Sequence, residues 1–387
     1  MKKVLFGITS LGFGGAERVL VDIANKLCNE YNINIFTIYA NGEMEKQLNS
    51  NVNVKSLINK KYEELTKLEK IIIPIKIMLS RKHIYKKYIK KDYDVEIAFL
   101  EGPVTRLFSA KNNSTKKIAW VHNDITKVFG KGIKAQIKKR IDKKLYASYS
   151  KLVFVSNDNK TKFEKVYNLS NNKEVIYNYI DIDIVLKKSN EKIDINFDKN
   201  ILNIVTVSRL VEQKAIDRLI NVHSNLISNG IQHKIYVIGD GPKKEELNNL
   251  IKAKNVSDSF ILLGKKENPY PYIKQADCFA LLSYFEGYPM VLLEAQILQK
   301  YIIITDTAAR ETLRNYENCI IVKNNENDIY NGLYDIITNK EKYINNSINL
   351  SQYNNEDIIC KIREITGRER QMRTIEQFQI RKIYAIG

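Results

Sequence analysis

The sequence predicts an α/β protein made of two doubly wound parallel-sheet domains in tandem. Three observations lead there. Short apolar runs recur along the chain, and each is followed by a stretch of helical period. The alternation breaks at one polar segment, KKSNEKIDINFDKN at residues 187–200, and then restarts. A length of 387 residues favours two domains over one.

In the first half, KVLFGI reads as a strand and AERVLVDIANKL as a helix with Val19, Leu20, Ile23 and Leu27 on one face. INIFTIYA, DVEIAFL, KKIAWVH and SKLVFVS follow as buried strands with helical segments between them, and VIYNYID closes the series. After the polar segment NILNIVTVSRL is a strand and AIDRLINVHSNLI a helix, then KIYVIGDG a strand and PKKEELNNLIKAK a helix. SFILLGK, CFALLS, YIIITD and CIIVK are the remaining strands. The expected boundaries are therefore 1–180 for the first domain, 187–200 for a linker and 201–350 for the second domain. A C-terminal helix and an arginine- and glutamine-rich tail occupy 351–387. In this architecture ligands lie outside the carboxyl ends of the strands, and two such domains are expected to face each other across a cleft.

Composition narrows the function. Hydrophobic residues make up 44% of the chain, enough for a core, and no apolar run approaches the ~20 residues of a membrane-spanning helix. The opening MKKVLFGITSLGFGG imitates a secretion signal, but its apolar core is short and runs straight into a helix without a cleavage site. A first strand and glycine loop in a cytoplasmic protein is the expected reading. Cys28, Cys278, Cys319 and Cys360 are scattered, which fits reduced thiols. His83, His122, His223 and His233 lack metal-ligand spacing, so no zinc site is expected. A net charge of +18 calls for acidic partners, and no nucleic-acid reader motif accompanies it.

The stretch FEGYPMVLLEA, residues 285–295, carries the most chemistry. It follows a buried strand, and Pro289 suits the first position of a helix. Glu286 and Gly287 then lie in the loop before the helix, and Glu294 about one and a half turns inside it. A helix N-terminus attracts an anion, and two flanking carboxylates accept hydroxyl hydrogen bonds. Anion between polyols describes a nucleotide-sugar. Arg209 and Lys214 in VSRLVEQK leave the first strand of the second domain at the same edge, where they can grip a phosphate. Gly12, Gly14 and Gly15 in TSLGFGGAERV permit a tight loop before a helix, although Glu17 replaces the last glycine of the dinucleotide fingerprint. His122 in IAWVHND sits just past a buried strand. The glycines of VIGDGP read as structural.

Taken together, these motifs resemble glycosyltransferase family 4, retaining enzymes of GT-B fold with two Rossmann-like domains. The resemblance spans roughly residues 3–350 and rests on GFGGAERV, IAWVH, LVFVS, VIYNYID, SRLVEQK, IGDGP and FEGYPMVLLEA. It implies that Glu294 binds the ribose, Glu286 the donor sugar, and Arg209 and Lys214 the diphosphate. It implies that Gly14, Gly15, Gly287 and Tyr288 meet the donor, with His122 near the transferred sugar. Ala215 stands where the family often has glycine, and Asn178-Tyr179 where it often has Asn-Gly or Asn-Pro.

The expected reaction moves a hexose or N-acetylhexosamine from a UDP-sugar to a saccharide acceptor, lipid-linked, in polysaccharide or capsule biosynthesis. No metal is expected. The literal D-x-D of Asp181–Asp183 is discounted because it falls in a polar crossover. A catalytically silent nucleotide-sugar-binding module and an epimerase of similar fold are the alternatives. Two basic amphipathic stretches point to an anionic membrane surface. One is GIKAQIKKRIDKKLYASYSK, with Ile133, Ile137, Ile141 and Leu145 at intervals of four; the other is KIIIPIKIMLSRKHIYKKYIKK.

Overall fold

The structure, a computed structural model, describes residues 1–89, 93–110, 114–128, 132–344 and 355–367. The polypeptide forms two compact units. One holds Met1–Tyr179 and the C-terminal helix; the other begins at Ile180.

The first unit has seven strands: β1 Lys3–Ile8, β2 Asn32–Tyr39, β3 Asn53–Ile58, β4 Val95–Ala98, β5 Lys116–Val121, β6 Lys151–Phe154 and β7 Asn172–Val175. All pair in parallel, in the order β3-β2-β1-β4-β5-β6-β7. Its helices are α1 Gly15–Leu27, α2 Lys67–Tyr88, α3 Pro103–Phe108, α4 Ile125–Val128, α5 Ile133–Tyr146 and α6 Asn157–Tyr167. Strand β1 buries five consecutive apolar or glycine positions because helices cover both faces of the sheet. Helix α1 turns Val19, Leu20, Ile23 and Leu27 inward, as its period requires. One core cluster joins sheet residues Leu5, Phe36 and Phe154 to Ile77 and Ile84 of α2, Leu107 of α3 and Phe163 of α6.

The second unit has six strands: β8 Leu202–Val207, β9 His233–Ile238, β10 Phe260–Gly264, β11 Cys278–Leu281, β12 Tyr301–Thr305 and β13 Cys319–Val322. They too are parallel, in the order β10-β9-β8-β11-β12-β13. Helices α7 Ile182–Lys188, α8 Ile216–Ser228, α9 Lys244–Ala253, α10 Tyr270–Gln275, α11 Met290–Ile297, α12 Glu326–Thr338 and α13 Lys340–Ile344 complete it. The last helix, α14 Asn355–Ile365, belongs to the first unit, where Arg363 forks onto Glu30 at 2.7 and 3.0 Å.

Three sequence expectations change. β3 is a strand that the sequence reading passed over, because its burial is only partial at the sheet edge. The closing strand is Asn172–Val175, and VIYNYID leaves the sheet after its first residue. The segment 187–200 does not hang free between units. Asn190 accepts from Lys274 at 2.6 Å, Asp194 pairs with Lys266 and Tyr272, and Phe197 meets Tyr236 edge-on. Its exposed polar residues still make specific contacts with the second unit, a distinction composition does not carry. The last twenty residues, 368–387, lie outside the described residues.

Candidate active site

In the second unit the strand order reverses between β8 and β11: β9 and β10 extend one way, β12 and β13 the other. Loops leaving the carboxyl ends of two such strands diverge to opposite faces and leave a crevice between them. Here those loops are residues 208–215 and 282–289. They are stitched together: Tyr284 N donates to Gln213 O and Gln213 Nε2 to Phe285 O, both at 2.9 Å.

The stitching brings four of the sequence-predicted residues to one edge. Lys214 Nζ lies 2.6 Å from Glu286 Oε1, and Ser283 Oγ donates to the same oxygen at 2.5 Å. Glu286 is only 7% exposed, so this pairing offsets the cost of burying its charge. Glu294 is equally buried and accepts from Tyr270 OH at 3.3 Å. Arg209 differs. It is exposed, and its guanidinium has no side-chain partner among the described residues. An unpaired cation beside a paired one is poised for an anion. Pro289 is the N-cap of α11 rather than its first residue, and no side chain caps that end. The first amides of α11 are therefore unfilled by side chains. Gly287 and Tyr288, half-exposed, lead into it.

The glycines of IGDGP have a role in this geometry. A β-carbon on Gly239 would fall 1.8 Å from Ser208 O, and one on Gly241 2.4 Å from Leu210 O. Only glycine lets the β9 loop press against the backbone on both sides of Arg209. Ala215 occupies the left-handed region at φ 50°, ψ 39°, fully buried. That conformation accounts physically for a glycine preference there.

The first unit has its own reversal, between β1 and β4. Gly14 caps α1 and Gly15 begins it, both exposed. Beyond β4, Glu101 reaches across to the loop after β5. Its Oε1 accepts from His122 N at 2.5 Å and Asn123 N at 2.7 Å, and Oε2 from Asn123 Nδ2 at 3.0 Å. Burial pushes the Glu101 carboxyl up, against the pull of these donors. Asn159 Nδ2 holds His122 O at 3.0 Å, so the His122 main chain is gripped from both sides. The His122 ring stacks on Trp120 and tilts against Phe99. Its Nε2 is buried without a hydrogen-bond partner among the described residues, and burial lowers its pKa to about 3. At neutral pH it is an uncharged imidazole, able to exchange hydrogen bonds but not to supply charge. Glu101, Asn159, Ser283 and Tyr270 were missed by sequence reasoning. Glu101 alone had a signal, an acid directly after a buried strand.

Asp181 of the D-x-D segment caps α7, its Oδ1 accepting from Ile184 N at 3.0 Å. One oxygen of this carboxylate thus serves the helix start.

Residues 187–352 match the family model described as glycosyl transferases group 1. That match lies within the second unit, apart from the first unit's strands, and covers less than half of the chain. An uncharacterized glycosyltransferase of Methanocaldococcus jannaschii is 30% identical over 54% of this chain and 53% of its own length. A Campylobacter jejuni enzyme, the N-acetylgalactosamine-N,N'-diacetylbacillosaminyl-diphospho-undecaprenol 4-alpha-N-acetylgalactosaminyltransferase, is 28% identical over 86% of this chain and 89% of its own. The chain thus spans about half of one relative and nearly all of the other. Among solved structures, Anabaena HepE in complex with UDP-glucose superposes with a TM-score of 0.66 at 17% identity, over the whole of both chains. TarM gives 0.71 at 13% identity, over 95% of this chain and 99% of that one. The two parallel-sheet units are the GT-B fold, and the chain is a glycosyltransferase acting in glycan biosynthesis.

Proposed function

We propose that this glycosyltransferase moves a hexose or N-acetylhexosamine from a UDP-sugar to a lipid-linked saccharide during surface-polysaccharide assembly, retaining the anomeric configuration and using no metal. The observation that carries the donor side is the unpartnered Arg209 beside the Lys214–Glu286 pair at the uncapped start of α11. In this reading Arg209 and Lys214 take the diphosphate. The α11 amides add preorganised positive potential as the leaving group gains charge. Glu286 turns its second oxygen to the sugar, and Glu294, one turn deeper, meets the ribose. Gly287 and Tyr288 lie along the donor at this edge.

The bond between the anomeric carbon and the β-phosphate oxygen breaks, and its electron pair stays with the diphosphate. An acceptor hydroxyl forms the new bond on the same face and gives its proton to the departing phosphate oxygen. With Asp181 committed to its cap, positive side chains rather than a D-x-D metal offset the developing charge. The lipid-linked acceptor is supported by the diphospho-undecaprenol substrate named for the Campylobacter relative.

The test is nucleoside diphosphate release from a panel of nucleotide-sugars with lipid-linked acceptors, with and without EDTA. The expected result is release from one donor, unchanged by EDTA, and lost in Arg209→Ala and Glu294→Ala. EDTA sensitivity would defeat the metal-free mechanism. Donor binding without release would leave a silent binding module, and a free epimer without acceptor would mark an epimerase.

A further inference from the structure

Helix α2 is apolar on two faces. One face is docked: Ile77, Ile84 and Tyr85 are buried, Tyr85 OH donates to Glu96 at 2.5 Å, and Arg81 Nη1 donates to Ser109 Oγ at 3.1 Å. The other carries Leu68, Ile71, Ile72, Ile75 and Leu79, between 47% and 75% exposed. Their spacing of three and four residues aligns them in one stripe along the outward side of the helix. A helix apolar all round is ordinarily enclosed. Here one apolar stripe faces out, and a contiguous patch of that kind marks an interaction surface.

Charge selects the occupant. Helix α2 holds Lys67, Lys70, Lys76, Arg81, Lys82, Lys86 and Lys87 against one acid, Glu69, which Lys60 pairs at 3.1 Å. The same holds on α5 of the same unit. Ile137 and Ile141 are exposed among Lys138, Arg140, Lys143 and Lys144, and its one acid, Asp142, is forked by Arg106 of α3 at 3.1 and 3.2 Å. Leu145, read from sequence as part of that stripe, instead points into the core, and the side chain of Ile133 lies outside the described residues. Both helices pack against α3. They present apolar side chains ringed by cations whose acidic neighbours are already neutralised.

We propose that α2, supported by α5, is a bilayer-binding face: the Leu68–Leu79 stripe inserts into the headgroup–acyl boundary, and the flanking lysines engage anionic lipid. Among the described residues no helix is long and apolar enough to cross a membrane. The lysines along α2 fit a helix lying in the interface. The proposal deepens the lipid-linked reading of the acceptor, since such a face would hold the enzyme where that acceptor is embedded. It can nevertheless be measured without donor or acceptor.

The test is co-sedimentation of the full chain with sucrose-loaded phosphatidylcholine vesicles, with or without about a third phosphatidylglycerol. Wild type should pellet with the anionic vesicles and weaken as salt rises. The triple variant Ile71→Ser, Ile75→Ser, Leu79→Ser should lose about 100-fold in partitioning. Lys76→Gln and Lys82→Gln should lose about 5-fold each. These positions are exposed, so melting temperature and UDP binding should stay at wild-type values. Three results would overturn the proposal: no pelleting with anionic vesicles, unchanged partitioning of the triple variant, or a lipid-free dimer that the triple variant dissolves, which would assign the face to a second copy. Donor turnover with a detergent-dispersed acceptor, measured in parallel, reports separately on the catalytic reading.

Discussion

Replacing Gly239 by alanine tests how the Arg209 loop is held. The new β-carbon would sit 1.8 Å from Ser208 O and 2.9 Å from Ser208 C, while carbon–oxygen contacts settle at about 3.3–3.6 Å. Relief therefore takes about 1.5 Å of main-chain movement, because the atoms in the way are backbone rather than a side-chain tip. The loop has little slack. Ser208 N donates to Ile238 O at 3.0 Å and Leu210 N to Asp240 O at 2.9 Å, on either side of Arg209. The displacement passes to the guanidinium, and a misplacement of about 1 Å costs on the order of 100-fold in rate. We expect kcat/KM for donor turnover to fall about 100-fold, roughly 2.7 kcal/mol of transition-state stabilisation. Gly230 supplies the control. It also has positive φ, at 79°, but a β-carbon there meets nothing within 4 Å. Gly230→Ala should cost about 1–2 kcal/mol of stability from its backbone alone and leave kcat/KM intact. Assays run well below the melting temperature of each variant separate the two effects. Wild-type kcat/KM in folded Gly239→Ala, or an equal loss in Gly230→Ala, would refute the reasoning.

Other predictions follow from the same geometry. Glu101→Gln should lower kcat about 10-fold or more while UDP affinity, read by calorimetry, is unchanged; the amide keeps one acceptor oxygen where three donors now converge. Loss of UDP affinity would contradict its role as a positioning residue. Asp181→Ala should cost about 1 kcal/mol in urea unfolding, and Asp181→Asn much less, with neither variant gaining or losing response to divalent cations. The His223–His233 pair should make the protein acid-sensitive. His233 Nδ1 lies 2.9 Å from Ile231 O, so it carries the proton; His233 Nε2 then accepts from His223 Nδ1, and His223 Nε2 from Ser259, each at 2.8 Å. Both rings are thereby neutral, and burial lowers their pKa values to about 3 and about 4. The unfolded rings titrate near 6.5. The pair's stabilisation is therefore complete above pH 6.5 and fades as pH falls toward 4. The urea midpoint should drop between pH 7 and pH 5, less so in His223→Asn/His233→Gln; equal slopes would count against the assignment.

Periodicity sufficed for most of the architecture. Parallel strands covered on both faces must be apolar throughout, and runs such as KVLFGI, CFALLS and YIIITD show this locally. Strand β3 and the docking of 187–200 were not legible. Edge strands bury little, and a polar segment looks alike whether it meets water or another polar surface. The candidate site divides in the same way. Arg209, Lys214 and Glu286 could be singled out because each sits near a strand end or helix start, and Glu294 because its spacing from Glu286 puts it one turn inside that helix, positions that hydrophobic pattern reveals. Their mutual pairing depends on which strands are neighbours, and β8 and β11 are more than seventy residues apart in sequence. The same dependence hid Glu101: its acid lies about twenty residues before the amides it grips, joined to them by the register of β4 on β5. The sequence alone therefore determined the two α/β repeats, the strand-end chemistry and the resemblance to a glycosyltransferase family. Tertiary structure decided which carboxylate meets which cation, why Gly239 and Gly241 admit no β-carbon, and which face of α2 is left uncovered. These are contacts between distant segments, and local pattern holds no record of them.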